Sequence, residues 1–167
     1  QNVSTIKGRL YKEIIIVNRQ ILNDIAKRVQ EIVNAETAVV ALAESDAEIV
    51  YYAAAAGKHA EWIVDKKGPS ATSGLCGTTF ESEQPVLVCR TEGDQRIRQD
   101  YAQALGIQTA LAVPLHYEGK LLGALMVLNR ADASLFSEQE EQLLATYANE
   151  AAPLVYQHLS STSISAD

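Results

Sequence analysis

Apolar residues recur every three or four positions at the start of the chain: Val3, Ile6, Leu10, Ile14, Val17, Ile21, Ile25, Val29 and Ile32. That spacing predicts one helix over about 6–34. At ~1.5 Å per residue it would run on the order of 40 Å, longer than a compact domain of this size requires. Leu22 and Val33 widen the stripe toward its C-terminal end, as packing on a sheet demands. The N-terminal part keeps a narrower seam, of the kind dimer helices share.

The period then changes. Residues 37–44 and 48–56 read as two strands joined at Ser45-Asp46. The run Ala53-Ala-Ala-Ala56 leaves shallow faces, open either to close helix packing or to a ligand. Residues 59–64 form a short helix or an irregular lid, and 66–73 is a polar loop. Ser73 or Thr72 can cap a helix reaching about Ser82. Its free N–H groups offer an anion site, while Gly74 and Gly77 equally suit tight packing. A short strand, 86–89, precedes a helix over 94–105 with Ile97, Tyr101 and Leu105 on one face. Asp94 and Arg98 are spaced to pair, and Gly106 suits the C-cap.

The most informative stretch lies between Thr109 and Leu159. A strand over 109–115 places Thr109, Leu111, Val113 and Leu115 on one face, and Ala110, Ala112, Pro114 and His116 on the other. Pro114 predicts a bulge or an unpaired edge. After a turn at Glu118-Gly119, Leu121, Gly123, Leu125 and Val127 share one face, and Leu122, Ala124, Met126 and Leu128 the other. Both faces are apolar, so the sheet is covered on both sides. Ser137-Glu-Gln-Glu140 is a capping box opening a last helix with an inner stripe of Leu143, Leu144, Tyr147, Ala151, Leu154 and Val155. Pro153 should kink it or mark its last regular turns.

These elements predict an α+β domain. The long first and last helices pack on one face of an antiparallel sheet, and the short helices and loops cover a pocket on the other. The expected division is a signalling and dimerisation helix over 1–34, the domain over 35–159, and a flexible tail over 160–167. A start at Gln1 and a Ser-rich end suggest an excerpt of a longer protein. With 167 residues, 47% apolar and 21% charged, the chain suits one soluble domain burying roughly 70% of its unfolded surface. Its net charge of −7, with no basic patch, argues against nucleic acid as partner. No signal peptide or long apolar run is visible, so no membrane span is expected in this segment, and the location is expected to be cytoplasmic. Two cysteines make no secreted disulfide framework. Cys76, near a helix start, could have a lowered pKa and pair reversibly with Cys89; alternatively both are small apolar fillers. His59, His116 and His158 fall in different elements without metal-ligand spacing. Predicted faces nominate Cys76, Thr78, Arg98, Tyr101 and Thr109 as pocket-lining residues, with the ligand and any cofactor unknown.

Several pieces in order carry a family resemblance over about 25–155. They are Gly74-Leu-Cys-Gly77, Gln84-Pro85-Val86-Leu87-Val88, Gly106-Ile107, Val113-Pro114-Leu115, Gly119-Lys-Leu-Leu-Gly-Ala-Leu125 and Phe136-Ser-Glu-Gln-Glu140. The chain resembles the GAF domain, a profilin-like module. That resemblance implies a non-enzymatic sensory unit of a signalling protein, such as a two-component sensor kinase or response regulator. It also implies a homodimer through the terminal helices. Cyclic-nucleotide-binding members carry Asn-Lys, a gap, Phe, three residues and Asp-Glu; the similar residues here are Asn129, Arg130, Phe136, Glu140 and Glu141. The resemblance implies a structural bridge from Arg130 to Glu140 or Glu141, although the capping box also claims Glu140. Bilin-binding members carry Cys-His where this chain has Arg96-Ile-Arg-Gln99. Sulfoxide reductases of the family need a cysteine where this chain has Leu105-Gly-Ile107. The readings left are a ligand sensor, a dimerisation scaffold with a vestigial pocket, and a cyclic-nucleotide, thiol-redox or reductase variant. An open, polar-lined cavity of ~300 Å³ or more favours sensing, and a filled interior favours scaffolding.

Overall fold

The computed structural model describes the backbone of residues 3–166 and their side chains except those of 11–18 and 162–166. The apolar stripe folds as α1, Val3–Ile32. Its stripe positions Ile14 and Val17 lie outside the described side chains. Strands β1 (Ala35–Glu44) and β2 (Ile49–Gly57) follow as a hairpin. Next come α2 (Ala60–Ile63), β3 (Lys67–Pro69), a 3-10 turn (Ser70–Thr72), α3 (Gly74–Ser82), β4 (Val86–Val88) and α4 (Gln99–Leu105). The hairpin β5 (Ala110–Tyr117) and β6 (Lys120–Arg130) leads to α5 (Glu138–Ala166), which runs into the segment expected as a tail. Asp167 lies outside the described residues.

All six strands form one antiparallel sheet in the order β3-β2-β1-β6-β5-β4. Alternation divides its apolar residues between two cores. Ala38, Val40, Leu42, Leu111, Val113, Leu115, Leu125 and Val127 meet Leu22, Ile25, Val29, Leu144, Ala151 and Val155 of the terminal helices. Val39, Ala41, Ala110, Ala112, Ala124, Met126 and Leu128 meet Ile63, Leu75, Cys76, Phe80 and Ala102 of the cover. The alanine run serves close packing: Ala53, Ala54 and Ala56 lie in the core beneath the terminal helices.

One strand expectation needs correction. Pairing slips between Leu115 and His116, because Leu115 faces Gly123 while His116 faces Leu121. Leu122 is therefore the extra residue of a bulge, and the face alternation reverses there. Leu122 joins the helix-side core with Leu125, and Leu121 packs against the cover side. Pro114 itself stays in register with Ala124. Its other side is open because β4 pairs only with Ala110, Leu111 and Ala112.

The helix predicted over 94–105 begins only at Gln99. Asp94 stops it earlier: its Oδ1 accepts the Arg96 amide at 2.8 Å, a local turn that competes with helix. Gln99 then bonds the carbonyls of Thr91 (2.8 Å) and Asp94 (2.9 Å), fixing the turn against the helix start. The expected Asp94–Arg98 pair is replaced by Asp94–Arg96 (2.6 Å) and Asp100–Arg98 (2.7 Å). Gly106 does cap the helix, at φ 69° with its amide on the Ala102 carbonyl.

Candidate functional site

The cover-side core is incomplete. Between β2, β6, α2, α3 and α4 lies a cavity of about 180 Å³. Leu75, Met126 and Leu128 line it from α3 and the sheet; Ile63, Ala102 and Ile107 add apolar walls. Trp62 and Tyr101 line it too, yet are 43% and 41% exposed, so the cavity reaches the surface at these rings.

The rim is built from four side chains in contact. The Lys66 ammonium sits 3.0 Å from the Trp62 ring centroid. Trp62 meets Tyr101 edge to face, with centroids 5.2 Å apart. Arg98 lies over Tyr101 at 4.1 Å. Cations over aromatic faces and T-shaped ring pairs are both favourable geometries. Backbone bonds hold this row in place. The Tyr52 amide donates to the Lys66 carbonyl at 2.9 Å, and Asp65 N–H donates to the Tyr52 carbonyl at 2.8 Å, tying the segment after α2 to β2. His59 Nε2 lies 3.1 Å from the Leu105 carbonyl, linking the start of α2 to the end of α4.

The charged side chains that line the cavity are Lys66, Lys67 and Arg98, with no carboxylate among the lining residues. Lys67 pairs with Glu44 at 2.8 Å and Arg98 with Asp100. Among the described residues Lys66 has no carboxylate partner. Tyr52 also lines the cavity. Burial raises its phenol well above the ordinary value, and the Cys76 side chain adds to the rise; Ser73 and Arg98 oppose it weakly. Tyr52 therefore stays neutral and able to donate a proton in a hydrogen bond.

Of the five residues nominated from the sequence, Arg98 and Tyr101 line this cavity. Cys76 is fully buried, with Sγ 3.5 Å from Met126 Sδ. Burial pushes its thiol up to about 12, the opposite of the lowering expected at a helix start. Both cysteines are free, and Cys89 is exposed. Thr78 lines a separate depression at the start of α3, and its hydroxyl donates to the Gly74 carbonyl at 3.0 Å. The Ser73 hydroxyl is likewise turned away from the α3 amides, onto the Pro69 carbonyl at 2.6 Å. Gly77 is needed because a Cβ there would lie 1.8 Å from the Ser70 carbonyl oxygen; it packs on the 3-10 turn, where sheet packing was expected.

Thr109 is buried away from the cavity, in a brace. Its hydroxyl donates to the Val88 carbonyl (3.3 Å) and accepts the Phe136 amide (3.1 Å). Asn129 sits at φ 61° and accepts the amides of Gln108 (2.7 Å) and Thr109 (3.3 Å) while donating to the Gly106 carbonyl (2.9 Å). Arg130 bonds Ser134 at 2.8 Å, the Val33 carbonyl at 3.4 Å and Glu140 at 3.0 Å. The competition foreseen for Glu140 is resolved by its two oxygens. Oε1 takes Arg130, and Oε2 takes the Ser137 amide at 3.2 Å and the Ser137 hydroxyl. Desolvation pushes the Glu140 carboxyl up, but the Ser137 hydrogen bonds and the Arg130 charge outweigh it and leave the group below its usual value. Phe136 is buried in the helix-side core, and Glu141 is held only through its backbone, N–H to the Ser137 carbonyl at 3.1 Å. The brace thus joins the end of α1, the hairpin and the start of α5, and none of its five motif residues lines the cavity.

The residues that sequence reasoning missed are Tyr52, Trp62, Lys66 and Met126. A usable signal existed: the chain's one tryptophan stands four residues from Lys66-Lys67 in a segment with no other reason for an exposed ring. Two further structural points bear on function. A groove of about 430 Å³ lies between α1 and α5, lined by Arg28, Ile32, Leu143, Tyr147 and Glu150 among others. Val3, Ile6 and Leu10 are exposed along the N-terminal part of α1. Among the described residues there is no cluster of metal-ligating side chains, and no helix is long and apolar enough to cross a membrane.

A six-stranded antiparallel sheet with two long helices on one face and a covered cavity on the other defines a class of small α+β module with an internal pocket. The family model described as GAF domain matches residues 18–154, and the chain belongs to that family. A search of curated proteins finds no match. Solved structures share the fold. The GAF domain of an Acinetobacter phosphoenolpyruvate-protein phosphotransferase is 18% identical, with a TM-score of 0.73, covering 98% of this chain and 99% of that one. The GAF-B domain of DevS from Mycobacterium smegmatis is 17% identical, with a TM-score of 0.68, covering 88% and 98%. A type II free methionine-R-sulfoxide reductase from Thermoplasma acidophilum is 17% identical, with a TM-score of 0.68, covering 87% and 96%. The neighbours also include a methyl-accepting chemotaxis protein, so the fold occurs in signalling proteins.

Proposed function

We propose that this GAF domain is a non-enzymatic, cytoplasmic sensory module of a two-component or related signalling protein. A small molecule occupies the cavity under Trp62 and Tyr101, and its presence biases the terminal helices. The observation that carries the reading is the cavity itself, walled by apolar side chains and rimmed by Lys66, Trp62, Tyr101 and Arg98. At about 180 Å³ it falls below the ~300 Å³ expected for a drug-sized site. An apolar cavity of ~150 Å³ nevertheless holds benzene, so a single-ring ligand fits. The relay runs from the cover to β6, whose Met126 and Leu128 line the cavity while Arg130, at the end of the same strand, bonds the Val33 carbonyl just after α1 and Glu140 of α5. Dimerisation through α1 and α5 is supported by the exposed seam of Val3, Ile6 and Leu10 and by exposed Leu143 and Leu154. Native mass spectrometry of the chain purified from the cells that make it tests the reading. A dimer carrying one small molecule per chain is expected, and a bare chain that gains none when incubated with a cell extract would refute sensing.

The dimerisation scaffold is the second reading, favoured by the same exposed seam. It predicts the dimer with no retained molecule.

A further inference from the structure

The cavity's walls and rim make different demands on an occupant. Inside, Leu75, Met126 and Leu128 offer no partner for a polar body, and an unpaired polar group among them is disfavoured. The volume of about 180 Å³ admits one aromatic ring with a short substituent. It is too small for a purine joined to ribose and phosphate, or for a tetrapyrrole. At the rim, the charged lining side chains are all cationic. Lys66 is exposed and has no carboxylate partner among the described residues, so its charge is available to an anion. Arg98 is paired with Asp100, but the side chains are 42% and 60% exposed. An exposed pair of this kind is weak, so Asp100 does not remove the positive charge of Arg98 from the rim. An anion held there keeps part of its water and escapes the full penalty of burying a charge. Trp62 and Tyr101 between the two cations add flat faces for a ring.

We propose that the cavity takes a small aromatic carboxylate, its ring among Leu75, Met126 and Leu128 and its carboxylate at the rim beside Lys66. This rests on reading the cavity as a ligand site and adds the chemical class. A neutral aromatic would gain the walls and leave the cations unused. An aromatic amine would meet three positive charges, and a short aliphatic acid would leave the walls unfilled.

Trp62 is the chain's sole tryptophan and lines the cavity, so its fluorescence reports occupancy directly. The test titrates the purified chain with sodium benzoate, benzyl alcohol, benzylamine and sodium acetate, following Trp62 emission and heat by calorimetry. Benzoate should bind one per chain and change the emission. Benzyl alcohol should bind about tenfold more weakly, the loss of one charge-assisted contact. Benzylamine and acetate should leave both signals flat. Lys66→Gln should weaken benzoate about tenfold and Lys66→Arg should retain it; because Lys66 is exposed, both variants should fold. Benzyl alcohol or benzylamine binding as well as benzoate would overturn the class while the ligand site stands. The class would fall in the same way if no probe bound while the native mass spectrum retained another molecule. No binding by any probe, together with a bare native spectrum, would overturn both.

Discussion

Removing the Glu140 carboxylate tests the brace that connects the hairpin to the helices. Arg130 and Glu140 lie 3.0 Å apart, with side chains only 22% and 9% exposed. Breaking a fully buried pair by deleting one partner costs about 3–5 kcal/mol. Here Arg130 keeps Ser134 and the Val33 carbonyl, so it is not stranded, and about 2–3 kcal/mol is the better figure. Glu140→Ala also strips the acceptor from the Ser137 amide, worth about 1 kcal/mol as a lost cap. The sum, about 3–4 kcal/mol, corresponds to a Tm drop of roughly 10 °C in a domain of this size. Urea unfolding of Glu140→Ala, Arg130→Met and the double variant gives the pair's coupling, expected at about 1–3 kcal/mol. The carboxyl is held below its usual value, so its contribution is fully present above the ordinary carboxylate range. It is lost as pH falls through the depressed folded value, and the stability gap between native chain and Glu140→Gln should narrow on acidification. Coupling below about 0.5 kcal/mol, or a gap that widens at acid pH, would refute the bridge as a fold determinant.

Three further outcomes are expected. Gly77→Ala should destabilise by at least about 1–3 kcal/mol in urea unfolding, because the added Cβ meets the Ser70 carbonyl oxygen and a backbone must move; a neutral result would deny the close approach. An aromatic disulfide reagent should titrate one thiol in the folded chain, Cys89, and a second, Cys76, only after unfolding; prompt labelling of both would contradict the burial that raises the Cys76 thiol. Ile6→Glu with Leu10→Glu should shift the chain from dimer to monomer in sedimentation without changing its thermal unfolding cooperativity; an unchanged sedimentation coefficient would remove the seam from the interface.

The architecture was legible because its main signals are periodic. The stripe from Val3 to Ile32, the two-sided apolar strands and the Ser137–Glu140 cap each have one structural solution, and α1, β5, β6 and α5 follow them. What periodicity cannot carry is local competition. Asp94 had helical neighbours, but its carboxylate found the Arg96 amide and delayed α4 to Gln99. The bulge at Leu122 reversed two side chains because apolar residues on both faces supply no polar marker of register. The cavity was harder still. Arg98 and Tyr101 were identifiable from one helix face, but Trp62 and Lys66 reach them only through tertiary packing of α2 on β2. Predicted faces put Thr109 and Cys76 in the pocket, and the packing takes both away from it. The Thr109 hydroxyl instead joins the Phe136 amide to the Val88 carbonyl, and Cys76 fills the core beside Met126.

Sensing requires that the space between Trp62, Tyr101, Met126 and Leu128 be held open for a ligand. Electron density from crystals of the chain, purified from the cells that make it, tests this most directly. Non-protein density is expected in that space, with the rim cations turned toward it. Density showing Trp62 and Tyr101 folded inward against Met126, with the space closed, would contradict a ligand site.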